Sequence, residues 1–185
     1  MSRDLEHARD QRLVAAGIDG DSDALGELVD HYYRPVFGLA FRMLNDEAAS
    51  ADIAQATFLA VFENLSGYDP RYKFFSWVYR IAMNKVLDHR SKRRLVPLED
   101  TGEVESDCDD PVTETVLKET SMMVRETLSR LSDDYAAVLT LRHYGEFRYD
   151  EIAEILDIPE KTVRSRLYSA RQKLKSELEG SGFRY

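Results

Sequence analysis

The fold turns on one stretch, Tyr149-Asp150-Glu151-Ile152-Ala153-Glu154-Ile155-Leu156-Asp157-Ile158-Pro159-Glu160-Lys161-Thr162-Val163-Arg164-Ser165-Arg166-Leu167-Tyr168, which continues to Leu178. Its first half places Ile152, Ile155 and Leu156 on one helical face. Asp157-Ile158-Pro159 interrupts it. A proline cannot continue the first helix but can open a second. From Glu160 onward Val163, Leu167, Ala170 and Leu174 recur at threes and fours. Two short helices across a tight break outline a helix-turn-helix.

The outward face of the second helix sharpens this outline. Lys161, Arg164, Ser165, Tyr168 and Arg171 lie opposite the apolar stripe. Between Pro159 and Lys175 there are six bases (Lys161, Arg164, Arg166, Arg171, Lys173 and Lys175) and one acid, Glu160. Cations, a small hydroxyl and an aromatic on a helix of this size suit phosphates and base edges in a DNA groove. The bland alternative is a solvated basic face on an ordinary helical pair.

Working outward, the 185 residues allow one large domain or two small ones. Hydrophobic content of 43% and charged content of 32% fit a soluble globular chain. No apolar run approaches the roughly 20 residues of a membrane span, and Met1 to Glu6 shows no signal-peptide core. A cytoplasmic chain without membrane attachment is expected. The single cysteine, Cys108, leaves no internal disulfide. The four histidines have no metal-ligand spacing. No nucleophile constellation or phosphate-binding glycine loop stands out. Neither catalysis, a metal nor a cofactor is expected.

The net charge of −9 argues against nucleic acid until its distribution is read. From Arg71 to Arg94 there are eight bases and one acid, Asp88. From Glu99 to Glu119 there are nine acids and one base, Lys118. Two basic segments therefore flank an acidic one. Screening limits each charge's reach to about 8 Å at physiological salt, so DNA meets the segments and not the sum.

Upstream, Leu13 to Leu44 predicts two helices. Asp21-Ser22-Asp23 offers N-caps, and Pro35 marks a break or the first turn of the next helix. Asn45-Asp46 precedes a third helix, Glu47 to Leu65, with Ile53, Ala54, Phe58, Val61 and Leu65 inward and Asp52, Gln55, Ala56, Leu59 and Glu63 outward. Ser66 to Pro70 is a turn by composition. A fourth helix follows, from about Phe74 to Arg90. Phe74 and Trp77 fall on its apolar stripe. Tyr68, in the turn, has no stripe to join and is free to stack on an unpaired base. Leu95 to about Thr115 reads as a linker. Helix resumes near Val116, and Ser132-Asp133-Asp134 caps another. An all-α chain is predicted, of two small helical domains (1–95 and 116–185) joined by a flexible acidic linker (96–115).

Four segments then carry a resemblance: Asp52-Ile53-Ala54-Gln55-Ala56-Thr57-Phe58, Phe74-Phe75-Ser76-Trp77-Val78-Tyr79-Arg80-Ile81-Ala82-Met83-Asn84, Tyr149-Asp150-Glu151-Ile152-Ala153, and Thr162-Val163-Arg164-Ser165-Arg166-Leu167. In their order and spacing the chain resembles bacterial sigma factors of the extracytoplasmic-function (ECF) group, from about Leu13 to Leu178.

The resemblance implies a first domain that binds the β′ clamp helices of core RNA polymerase and opens the −10 promoter element. It implies a second domain that sits on the β flap and reads the −35 element. By position it assigns Asp52, Gln55, Ala56 and Leu59 to polymerase. It assigns Tyr68, Asn84, Lys85, Asp88, Arg90 and Arg93 to the −10 element, and Lys161, Arg164, Ser165, Tyr168 and Arg171 to the −35 element. Three departures stand out. Arg148 replaces a frequent Ser or Thr N-cap, which predicts a weaker helix start. Lys161 replaces a frequent glycine. Ala49, Ala51 and Ala56 replace acids. An acid-poor third helix of this kind implies control by a Ser/Thr kinase acting on Ser50 or Thr57, where a phosphate would restore about −1.5 to −2 of charge, as an alternative to an anti-sigma factor. The rival readings are a helix-turn-helix regulator that never joins polymerase, and a helical adaptor that binds proteins only.

Overall fold

The structure, a computed structural model, describes residues 3–95, 124 and 126–180. Every regular element among them is helical. Helix α1 spans Arg3–Ile18, α2 Ser22–Leu44, α3 Glu47–Glu63 and α4 Phe74–Leu95, with a 3-10 turn at Leu65–Gly67 before α4. Residues 126–130 are also helical. Then come α5 (Asp133–His143), α6 (Tyr149–Leu156) and α7 (Glu160–Gly180). The expected acidic linker, 96–115, lies outside the described residues.

Local chemistry sets the helix boundaries. The Asp21 carboxylate accepts from the N–H groups of Asp23 and Ala24 at 2.9 and 3.1 Å, which satisfies donors that have no partner within the helix. Asp46 does the same for Ala49 at 3.0 Å. Between α2 and α3 the chain reverses through Asn45. It takes the left-handed conformation (φ 51°) and donates its N–H to the Phe41 carbonyl at 2.8 Å. Asparagine tolerates that region better than most residues.

Pro35 does not divide the segment as its sequence suggests. α2 runs unbroken through it. A proline inside a helix forfeits one i→i−4 bond. Here Leu28 and Tyr32 before it, and Val36, Leu39, Ala40 and Met43 after it, are all buried on the same core. Burying each large apolar side chain is worth roughly 1.5–3 kcal/mol, so tertiary packing outweighs the lost bond.

α1 is fastened by a buried carboxylate. Asp10 accepts a short hydrogen bond from the Tyr32 hydroxyl and pairs with Arg9 at 3.0 Å. Burial, reinforced by the neighbouring Asp10, pushes the Tyr32 phenol well above its ordinary range.

The first group of helices closes around Leu39, Met43, Phe74, Val78 and Val86, and the second around Val138, Leu141, Ile152, Val163 and Leu167. These buried side chains form one continuous core, because α4 packs on α6 and α2 on α5. Among the described residues no helix is long and apolar enough to cross a membrane.

Candidate nucleic-acid interface

The helix-turn-helix is built much as its sequence predicts. Asp157 closes α6 in the left-handed conformation (φ 53°), with its N–H on the Ala153 carbonyl. The Pro159 carbonyl then accepts from Thr162 and Val163 at 2.8 and 3.2 Å and starts α7. The expected weakness at Arg148 is met from within the helix. Glu151 accepts the Arg148 N–H at 2.9 Å, supplying from the third helical position the acceptor side of a capping box.

Lys161, Arg164, Ser165, Tyr168 and Arg171 are all exposed on one face of α7, and Tyr168 is 69% exposed. Arg164 pairs with Glu160 one turn back at 2.6 Å, a surface contact that a base edge or phosphate can replace at small cost. Arg166 points elsewhere and braces α7 to α5 through Asp134 at 2.8 Å.

The second candidate surface centres on Tyr68. Its ring stands edge-on to Phe74 at 5.4 Å and tilted against Trp77 at 5.5 Å. Its hydroxyl donates to the Tyr72 carbonyl at 2.5 Å. Burial, with added repulsion from Asp10 and Asp69, pushes the phenol up to about 12. Tyr68 therefore stays neutral at physiological pH. A cavity of about 400 Å³ opens beside it, lined by Tyr68, Tyr72, Trp77 and Arg80 and, from α6 and its C-terminal end, by Glu154 and Asp157. That is ample for a planar heterocycle. Trp77, expected in the core, is half-buried and lines this cavity, whereas Phe74 is fully buried.

Further along α4, Asn84, Asp88 and Arg93 are exposed and Lys85 is half-buried. Arg90 departs from its expected role. It is 7% exposed, and its guanidinium donates to the carbonyls of Met43 (2.6 Å), Ser129 (3.1 Å) and Leu131 (2.8 Å) and to Asp133. A cation with its donors spent on four internal acceptors is a brace and not a free DNA contact.

On α3, Asp52, Gln55 and Leu59 are exposed and Ala56 is half-buried. Leu59 is 60% exposed, a large apolar side chain left without cover. Ser50 and Thr57 depart from the expectation of accessible phosphorylation sites. Both are fully buried, and their hydroxyls donate to the carbonyls of Asp46 (2.5 Å) and Ile53 (2.7 Å). In this conformation neither hydroxyl reaches the surface.

The direct packing of the two helical groups had no forerunner in the sequence. Phe147 stacks on Phe75 at 5.4 Å and meets Tyr79 edge-on at 4.8 Å. Arg42 lies over the Tyr144 ring at 3.3 Å. Lys73 pairs with Glu151, and Arg94 joins Arg90 on Asp133. Among the described residues no cluster of His, Cys, Asp and Glu is arranged to hold a metal.

This arrangement has relatives. Residues 28–96 match the Sigma-70 region 2 family, and residues 121–174 match Sigma-70, region 4. Over 170 residues the chain is 32% identical to the ECF RNA polymerase sigma factor SigW of Bacillus subtilis, covering 86% of this chain and 91% of that protein. The chain belongs to the ECF RNA polymerase sigma factors. It is also 30% identical to the ECF RNA polymerase sigma-E factor of Haemophilus influenzae, over 94% of this chain and 97% of that one. Among solved structures it is similar to CnrH in complex with the cytosolic domain of CnrY (TM-score 0.73, 25% identity, 93% of this chain and 98% of that chain). It shares its fold with the sigma factor RpoE solved with the anti-sigma factor NepR from Bartonella quintana (TM-score 0.66, 17% identity, 83% and 96%). In this ECF sigma factor the region 2 match holds the Leu59 face and Tyr68 with its aromatic neighbours, and the region 4 match holds the basic face of α7 and the Glu154 and Asp157 side of the cavity.

Proposed function

We infer that this ECF sigma factor binds core RNA polymerase and directs it to specific promoters, as a cytoplasmic, non-catalytic initiation factor. One pairing carries the reading: a duplex-reading cationic face on α7, joined in one chain to an aromatic cavity at Tyr68. The first suits the −35 element through Lys161, Arg164, Ser165, Tyr168 and Arg171. The second suits a base drawn out of the −10 stack, held by Tyr68 with Asn84 nearby on α4. A repressor has no use for the second feature. Lys85, Asp88 and Arg93 extend the −10 surface.

The Leu59 face of α3, with Asp52, Gln55 and Ala56, would meet the β′ clamp helices. An exposed apolar side chain ringed by polar ones matches the apolar centre and polar rim of a protein interface. Residues 116–185 would lie on the β flap. For control we favour an anti-sigma protein over a kinase, given the burial of Ser50 and Thr57. The test is co-elution with core polymerase on gel filtration. A stoichiometric complex is expected, and one lost in Leu59→Asp. Binding to promoter duplex with no association to core enzyme would favour the independent regulator instead.

A further inference from the structure

A row of hydrogen-bond donors runs from Lys73, just before α4, along the first turns of that helix, and the chain fills it with its own acceptors. Lys73, Ser76 and Arg80 follow at three and four residues, so they share one side as α4 begins, and Asn84 continues it one turn on. Ser76 and Arg80 also line the cavity of Tyr68 and Trp77. All three are occupied by α6. Lys73 Nζ lies 3.0 Å from Glu151 Oε1. The Ser76 hydroxyl donates to Glu154 Oε2 at 2.7 Å. The Arg80 guanidinium donates to the Glu154 carbonyl through Nε at 3.1 Å and through Nη2. That carbonyl belongs to the last turn of α6, where unpaired carbonyls and the helix dipole concentrate negative charge.

We propose that Lys73, Ser76 and Arg80 form an anion site for the sugar-phosphate backbone of unpaired promoter DNA, and that Glu151 and Glu154 occupy it as internal phosphate mimics. The identity of the ligand rests on the function inferred above. A cationic track beside stacking aromatics is the general architecture for single strands. The two occupants exclude each other. While α6 is docked, Glu154 and Asp157 narrow the cavity beside Tyr68 and Trp77, and Glu151 and Glu154 cover the cations. A strand can enter only when α6 leaves. Glu151 is buried and Lys73 half-buried, so the closed state persists until a competing anion or partner draws α6 away.

The test uses the full chain without polymerase and a dye-labelled thymidine oligonucleotide followed by anisotropy. Glu154→Gln and the double variant Glu151→Gln/Glu154→Gln remove the mimicking charges, and glutamine at 151 still accepts the Arg148 N–H. The double variant should bind the strand about five- to tenfold tighter than wild type, because a larger fraction of the chain is open. Adding Arg80→Ala should abolish the gain. Glu126→Gln, which neutralises an exposed acid away from the patch, should change little. Circular dichroism identifies any variant that fails to fold, and Glu154→Gln, at a half-buried position, is then read alone. The proposal is overturned if removing the carboxylates leaves binding unchanged, if Glu126→Gln gives an equal gain, or if Arg80→Ala leaves the gain in place. With no polymerase present, such a failure leaves the initiation-factor reading standing, since that reading is tested by association with core enzyme.

Discussion

Arg90 and Asp133 meet at 2.5 Å, Nε to Oδ1, with the guanidinium buried where the C-terminal part of α4 meets the start of α5. The remaining donors reach three backbone carbonyls, on Met43, Ser129 and Leu131. One side chain thus joins α2, α4 and the second helical group.

Arg90→Ala should therefore cost about 3–5 kcal/mol of stability, since it strands buried acceptors and a carboxylate. Arg90→Lys should recover little, because a single ammonium cannot reproduce a planar fork. Urea unfolding of the two variants beside wild type measures both effects. A loss below about 1 kcal/mol for Arg90→Ala would return Arg90 to the surface role that its place in a basic run suggests.

Arg164→Ala should act on recognition and not on folding. Its partner in the free chain is an exposed i, i+4 glutamate, so stability should shift by no more than about 0.5 kcal/mol. Discrimination among −35 sequences should fall by about 1–3 kcal/mol if the guanidinium grips a guanine edge. Competition binding with mutated promoters measures the difference.

Tyr68→Ala should spare duplex binding and slow strand opening, because stacking is worth roughly 1–3 kcal/mol per base. Permanganate reactivity of thymines in the −10 region reads the opening. Tyr68→Phe should open promoters nearly as well as wild type, as the hydroxyl is engaged with the Tyr72 carbonyl. Equal opening by the alanine variant would reduce the turn to a structural role.

Alkaline pH should unfold the protein through its buried phenols. Burial raises Tyr68 to about 12 and lifts Tyr32 and Tyr79 as well, against an ordinary value near 10. A phenol whose folded pKa is raised contributes stability fully present below its unfolded pKa. That contribution is lost as pH climbs from about 10 towards 12, where the unfolded chain ionises first. Urea midpoints should fall steadily over that interval, with tyrosinate absorbance appearing on unfolding. A flat midpoint would mean that these rings reach solvent.

How much of this was legible depended on where the determining contact lay. The helix-turn-helix could be read because its signals are local: the apolar period of α6 and α7, the break at Asp157 to Pro159, and the cations opposite. The α3 surface was equally readable from its period. Pro35 misled because burial on both sides of it decides the outcome, and burial is set by α1, α3 and α4. Arg90 misled for a related reason. It sits in a run of bases, and only the arrival of Leu131 and Asp133 turns it inward. The docking of α6 on Lys73, Ser76 and Arg80 links residues 74 to 78 positions apart, and no periodicity reports such a pairing. An ideal helical wheel already turns Thr57, and less sharply Ser50, toward the core side. The structure turns both fully inward.

Transcription with core polymerase on a promoter library, with the 5′ ends of the products sequenced, tests the central claim most directly. Adding the chain should produce transcripts starting at a small set of sites that share a −10 and a −35 sequence. Arg164→Ala should blur the −35 preference, and Leu59→Asp should remove the products altogether. A core enzyme that starts at the same places with and without the chain would contradict the account.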